Sequence, residues 1–152
     1  MDDADRAARV RLLLPTRIKI QPWTQPVSFN GQRDADGLEV LLAAYDCLGE
    51  ETKAVGTLHF ELYTRRPASA DRFEKRLAFW PVELDSKEAL ARYWDRSVRF
   101  YRFPLRLEQG ALPPGRYILT AQLQTLSPER LTDEYEFTYE AGTAVPASTK
   151  RQ

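Results

Sequence analysis

One cysteine and one histidine in 152 residues remove several chemistries at once. Cys47 cannot close an internal disulfide, so its presence assigns no redox compartment. A lone imidazole and a lone thiol cannot build a nitrogen–sulfur zinc site without carboxylates. No run approaches the roughly 20 apolar residues of a membrane-spanning helix, and "RLLLP" is too short for a signal-peptide core. Charge of one sign is lacking too: Lys+Arg and Asp+Glu both number 22, so no global field draws the chain toward nucleic acid or an anionic membrane. A glycine-rich phosphate loop and the G-x-S-x-G nucleophile turn are missing, and "GALPPG" carries prolines where a phosphate cradle needs backbone donors.

What is present suits one folded domain. A hydrophobic share of 43% and an aromatic share of 11% can fill a single core without metal or disulfide staples. Residues 1–16 read as a lead-in, partly helical or disordered, with Ala7, Val10, Leu13 and Leu14 at helical spacing before Pro15. Residues 17–141 form the domain, and 142–152 read as a disordered tail. The opening "MDDADRAARVRLLLPTR" suits a cytosolic start as well as a chain whose leader has been removed.

Alternation supplies the strands. In "RIKIQ", Ile18 and Ile20 share a side; "LEVLLAAYD" is short, apolar and bounded by turns, hence a well-buried strand. "TLHFELYT" points Leu58, Phe60 and Leu62 inward, and "LAFWPVEL" follows a polar connection. "RFYRFPLRL" sets Tyr101, Phe103, Leu105 and Leu107 against Arg102 and Arg106, "RYILTAQLQT" sends Tyr117, Leu119, Ala121 and Leu123 inward, and "DEYEFTYE" does the same with Tyr135, Phe137 and Tyr139. Between strands, "DSKEALARYW" reads as a helix capped by Asp85, with Glu88 three residues on. The fold expected is all-β, a two-sheet antiparallel sandwich of about seven strands with one short helix between strands.

"DGLEVLLAAYDCLGEETKAVGTLHFELY", followed much later by "LPPGRYILTAQLQT", resembles the opening and closing strands of small immunoglobulin-like or transthyretin-like β-sandwich modules of bacterial cell-envelope and secreted proteins. The resemblance spans roughly residues 37–140 and implies an immunoglobulin-like accessory domain, periplasmic or envelope-bound, with no catalytic residues to carry over. A cytoplasmic location stays open. The chain lacks the paired cysteines of antibody-type domains and adds a helix.

Candidate chemistry is sparse. His59 alternates outward beside Glu61 and reads as a surface histidine rather than a triad base. Cys47, at the end of an apolar strand, reads as a buried structural thiol. Asp34 and Asp36 in "DADG" resemble the start of a calcium loop that lacks its later bidentate Glu, so a turn is expected. Glu134 and Glu136 share a face, where solvation is a better account than glycoside hydrolysis. No catalytic set, metal or cofactor is expected.

The charge distribution points to a partner. Residues 65–106 hold 11 Lys+Arg against 6 Asp+Glu, whereas residues 34–61 hold seven acids against Lys53 alone. These regions could pair within the fold or between copies. Pro104 and Pro81 mark edge or bulged strands, because proline cannot donate to a ladder. Arg99, Arg102 and Arg106 on such an edge are the expected contacts to a protein partner, self-association included, with Glu134 and Glu136 as the carboxylates they would otherwise meet. Nucleic acid is disfavoured, since the aromatics of that stretch turn away from the arginines. Trp23, in a loop after Pro22, keeps an alternative alive: a carbohydrate-binding module that stacks a sugar on indole.

Overall fold

A computed structural model describes residues 2–67 and 70–148. In chain order the elements are α1 (Asp3–Arg11), β1 (Arg17–Ile20), β2 (Gln25–Ser28), β3 (Gly37–Tyr45), β4 (Glu51–Thr52), β5 (Gly56–Arg65), β6 (Phe73–Leu84), α2 (Lys87–Tyr93), β7 (Trp94–Asp95), β8 (Phe100–Arg106), β9 (Gly115–Gln124), β10 (Arg130–Tyr139) and β11 (Val145–Pro146). They form two sheets. One is ordered β11-β2-β3-β8-β7, with β1 and β4 also on β3; the other is ordered β10-β9-β5-β6.

The chain is mostly β, as its alternation predicts, but the strand count differs. Eleven strands are present among the described residues. The four beyond the expected seven are β2 and the two-residue β4, β7 and β11, which are too short for alternation to reveal. Every pairing is antiparallel except β11 with β2, which run parallel. The segment expected to be a disordered tail therefore lies against a sheet as far as Ser148; the remainder of that expectation falls outside the described residues.

β3 anchors the first sheet. Leu38, Val40, Leu42 and Ala44 face the shared core, and Leu41 and Ala43 on the opposite face are buried as well. Gln21 still follows the β1 register, its N–H donating to the Leu41 carbonyl (2.7 Å), but Pro22 ends the ladder there, and the Leu41 N–H donates instead to Thr24 Oγ1 (3.0 Å).

The second sheet contributes Leu58, Phe60 and Leu62 from β5 and Tyr117, Leu119, Ala121 and Leu123 from β9. Phe60 meets Phe103 of the first sheet at 5.2 Å between ring centroids. The strands that carry Pro81 and Pro104, β6 and β8, meet where Trp80 Nε1 donates to the Arg106 carbonyl (2.7 Å). α2 lies there too and sends Leu90 and Tyr93 toward the core. Its cap is Ser86, not Asp85: Ser86 Oγ accepts from Ala89 N (3.1 Å), which leaves Glu88 in the first turn.

Tyrosines fasten the loops. Tyr101 Oη accepts from Ala54 N (3.0 Å), Tyr139 Oη accepts from Ala35 N (2.8 Å), Tyr135 Oη donates to the Pro22 carbonyl (2.9 Å), and Tyr117 Oη donates to the Pro113 carbonyl. α1 is different: it buries no residue, and Leu12 and Leu13 beyond it are exposed.

Candidate functional site

The arginines singled out from sequence lie on β8 and the turn before it, but each has an intramolecular partner. Arg102 is the most constrained. Its Nε and Nη2 donate to Asp95 Oδ2 at 3.1 and 3.0 Å, and its Nη1 donates to Glu39 Oε1. Glu39 sits on the outward face of β3, yet it is only 5% exposed. Its carboxylate also accepts from Ser148 N (2.8 Å) and Ser148 Oγ (2.9 Å). Burial pulls the Asp95 carboxyl upward, but hydrogen bonds from Arg102 and the Ser97 amide outweigh it and hold the group below its ordinary range.

Arg106 lies over the Phe29 ring, 4.6 Å from its centroid. Phe29 in turn crowds Gly37, where a Cβ would stand 2.5 Å from the ring and 2.4 Å from the Leu105 carbonyl oxygen. Arg99 adopts φ 61° in the β7–β8 turn and pairs with Glu51 (3.3 Å). The acidic and basic regions thus pair within the fold through Arg102–Glu39, Arg99–Glu51 and Arg76–Glu61. Glu134 and Glu136 do not meet the β8 arginines: Arg72 bonds both, and Arg65 Nε lies 3.0 Å from Glu136.

The remaining candidates separate. His59 is half-buried on the outward face of β5, its ring 5.2 Å from Phe79. Cys47 is exposed rather than buried. β3 ends at Tyr45, and Asp46 Oδ1 then accepts from Leu48 N and Glu50 N, which places the cysteine in a turn instead of the strand. Asp36 Oδ1 accepts from Phe29 N and Asp34 Oδ1 from Gly142 N, so the two carboxylates fasten different segments. Trp23 is 64% exposed and stacks on Phe100 at 6.4 Å, a companion that the sequence reading missed.

A second missed feature is an open trough of about 1680 Å³ beside α2 and β8. Its apolar lining is the half-buried Leu90, Tyr93 and Trp94 with the exposed Val55 and Pro104. The charged lining has both signs, with exposed Lys53, Arg92 and Arg96 beside Asp85 and Glu88. Lys53 Nζ lies 4.6 Å above the Trp94 ring. Arg102, Glu39 and Ser148 line the trough as well. The signal that could have found this surface is the cluster of Leu90 and Tyr93 on α2 with Trp94 just beyond it, read as a binding face in addition to core.

Compared with protein-family models, curated proteins and solved structures, the chain matches none of them.

Proposed function

We propose that the protein is a non-enzymatic interaction module, an immunoglobulin-like β-sandwich of the bacterial cell envelope that takes a protein partner in the trough beside α2 and β8. The observation that carries this reading is the composition of the trough: half-buried aromatic and aliphatic side chains among exposed charges of both signs, the anatomy of a protein–protein interface. Arg102 supports one of its surfaces; Lys53, Arg92 and Arg96 supply cations that face solvent.

Two features support the immunoglobulin-like part. The order β1/β2-β3-β8 against β10-β9-β5-β6 distributes consecutive strands between two sheets as such sandwiches do. Tyr117, near the start of β9, bonds back to the carbonyl of Pro113, the arrangement of a tyrosine corner. The envelope assignment rests on the resemblance of residues 37–140 to envelope modules.

The test is recovery of the tagged full chain from its native cells, fractionated into cytosol and envelope. The control is the variant Lys53→Glu/Arg92→Glu/Arg96→Glu. A stoichiometric envelope protein that is lost on charge reversal is the expected result. A co-purifying set unchanged by the reversal, or recovery of the chain alone from cytosol, overturns the reading.

One observation favours a second reading. The exposed Trp23 stacks on the half-buried Phe100 of β8, which suits a carbohydrate-binding module. That reading requires glycan retention by the wild type and its loss in Trp23→Ala.

A further inference from the structure

We infer that the β2 edge and the Glu39 carboxylate together form a receptor for an extended peptide of a partner protein, with a serine or threonine at its anchoring position, and that residues 143–148 fill this receptor in cis. Three observations carry the inference. The first is backbone pairing on an outer strand. β11 adds to β2 in parallel, with Val145 opposite Val27 and Pro146 opposite Ser28. Ala144 N donates to the Arg33 carbonyl (3.1 Å), and Ala147 N donates to the Ser28 carbonyl (3.0 Å). Strand addition of this kind binds main chain and tolerates many side chains.

The second observation is a buried group aimed at one residue of the added segment. Glu39 is an acid in an otherwise apolar strand, and its two oxygens take both the N–H and the Oγ of Ser148. Arg102 Nη1 also reaches Ser148 Oγ at 3.4 Å. With residue 148 gone, the Glu39 carboxylate keeps Arg102 among these three contacts and loses both hydrogen bonds from Ser148. Its geometry selects an amide and a hydroxyl on the same residue, which only serine and threonine offer at this reach.

The third is the slight dependence of the body on the segment. Ala144 alone of residues 143–148 touches the core, while Val145 is 39% exposed. Pro146 is tolerated here, since the amides of residues 144, 147 and 148 make the hydrogen bonds to Arg33, Ser28 and Glu39. The ligand chemistry is therefore small, any, proline tolerated, small, then serine or threonine. A Gly142 with φ 78° turns the chain into the segment, its amide held by Asp34. The receptor shares Glu39 and Arg102 with the trough, but its test reads peptide seating and so succeeds or fails independently of the pull-down.

The probe is a fluorescent, end-blocked peptide of residues 142–148, titrated against the full chain. The comparison proteins are Ala147→Pro/Ser148→Pro, which removes the donors to Ser28 and Glu39, and the milder Ser148→Ala. A segment tethered in cis competes at roughly millimolar effective concentration. The double variant should therefore bind the peptide at least about tenfold more tightly than the wild type, with Ser148→Ala between them. A peptide carrying alanine in place of Ser148 should bind at least about fivefold more weakly, in keeping with the loss of one charge-assisted bond. Three results overturn the inference: no binding by a Ser148→Ala chain that melts as the wild type does, equal affinity for the alanine peptide, or a wild-type dimer in which the segments are exchanged between copies.

Discussion

The guanidinium of Arg102 joins two carboxylates from distant parts of the chain, Glu39 of β3 and Asp95 of β7, and is itself only 21% exposed. An arginine so held is a structural element first. Arg102→Ala leaves Glu39 buried without its cation. We expect a loss of about 1–3 kcal/mol in urea unfolding, below the full value of a buried pair because solvent reaches the site. In a double-mutant cycle, Glu39→Ala combined with Arg102→Ala should recover roughly 1 kcal/mol or more of the summed losses. Additive losses would mean that the pair contributes no coupling.

Gly56 opens β5 at φ 148°, and a Cβ there would lie 2.0 Å from the Gln124 carbonyl oxygen. Gly56→Ala meets both backbone strain and a rigid neighbour. Its cost should be at least about 2 kcal/mol in chemical denaturation, and its melting temperature should fall accordingly.

Burial pushes the phenols of Tyr101, Tyr117 and Tyr135 above their ordinary value of 10.0; the Ala54 bond partly offsets this at Tyr101, and Tyr139 adds to it at Tyr117. A raised folded value means that the native state holds its proton after the unfolded chain has begun to release it. The stabilising contribution is thus complete below about pH 9 and is lost as pH climbs past 10 toward the folded values. Unfolding free energy should be flat in that respect at neutral pH and fall in alkali. Tyr101→Phe should be less stable at pH 7 by roughly 1 kcal/mol and should show a shallower alkaline decline.

Cys47, exposed in the turn after β3, should react with Ellman's reagent in the native protein with a stoichiometry of about one, the chain having a single thiol. A thiol that reacts only after denaturant is added would contradict the turn placement.

Some of the architecture was legible in residues and some was not. β5, β8, β9 and β10 declare themselves because apolar and polar side chains alternate, and that alternation is local. Ile118 escapes this logic. It lies on the outward face of β9, between Tyr63 and Glu136 in register, yet is fully buried where Arg65 and Arg72 meet Glu136. The partners of Arg102 were hidden for the same reason: Glu39 stands opposite Pro104 only once β3 and β8 are paired. Cys47 was misplaced because an apolar run does not announce its last strand residue, and Ser86 displaced Asp85 because both are good caps one position apart. The seating of residues 143–148 has no periodic signature at all, since it depends on main-chain groups and one buried acid.

The tyrosine attachments set a clock for the loops they hold. A surface loop ordinarily moves in nanoseconds to microseconds. Where the Ala54 and Ala35 amides donate to the buried Tyr101 and Tyr139, the loop cannot leave until a ring packed in the core lets go. These two amides should exchange their hydrogens with solvent as slowly as the central strands, on the timescale of global opening, although both lie outside any strand.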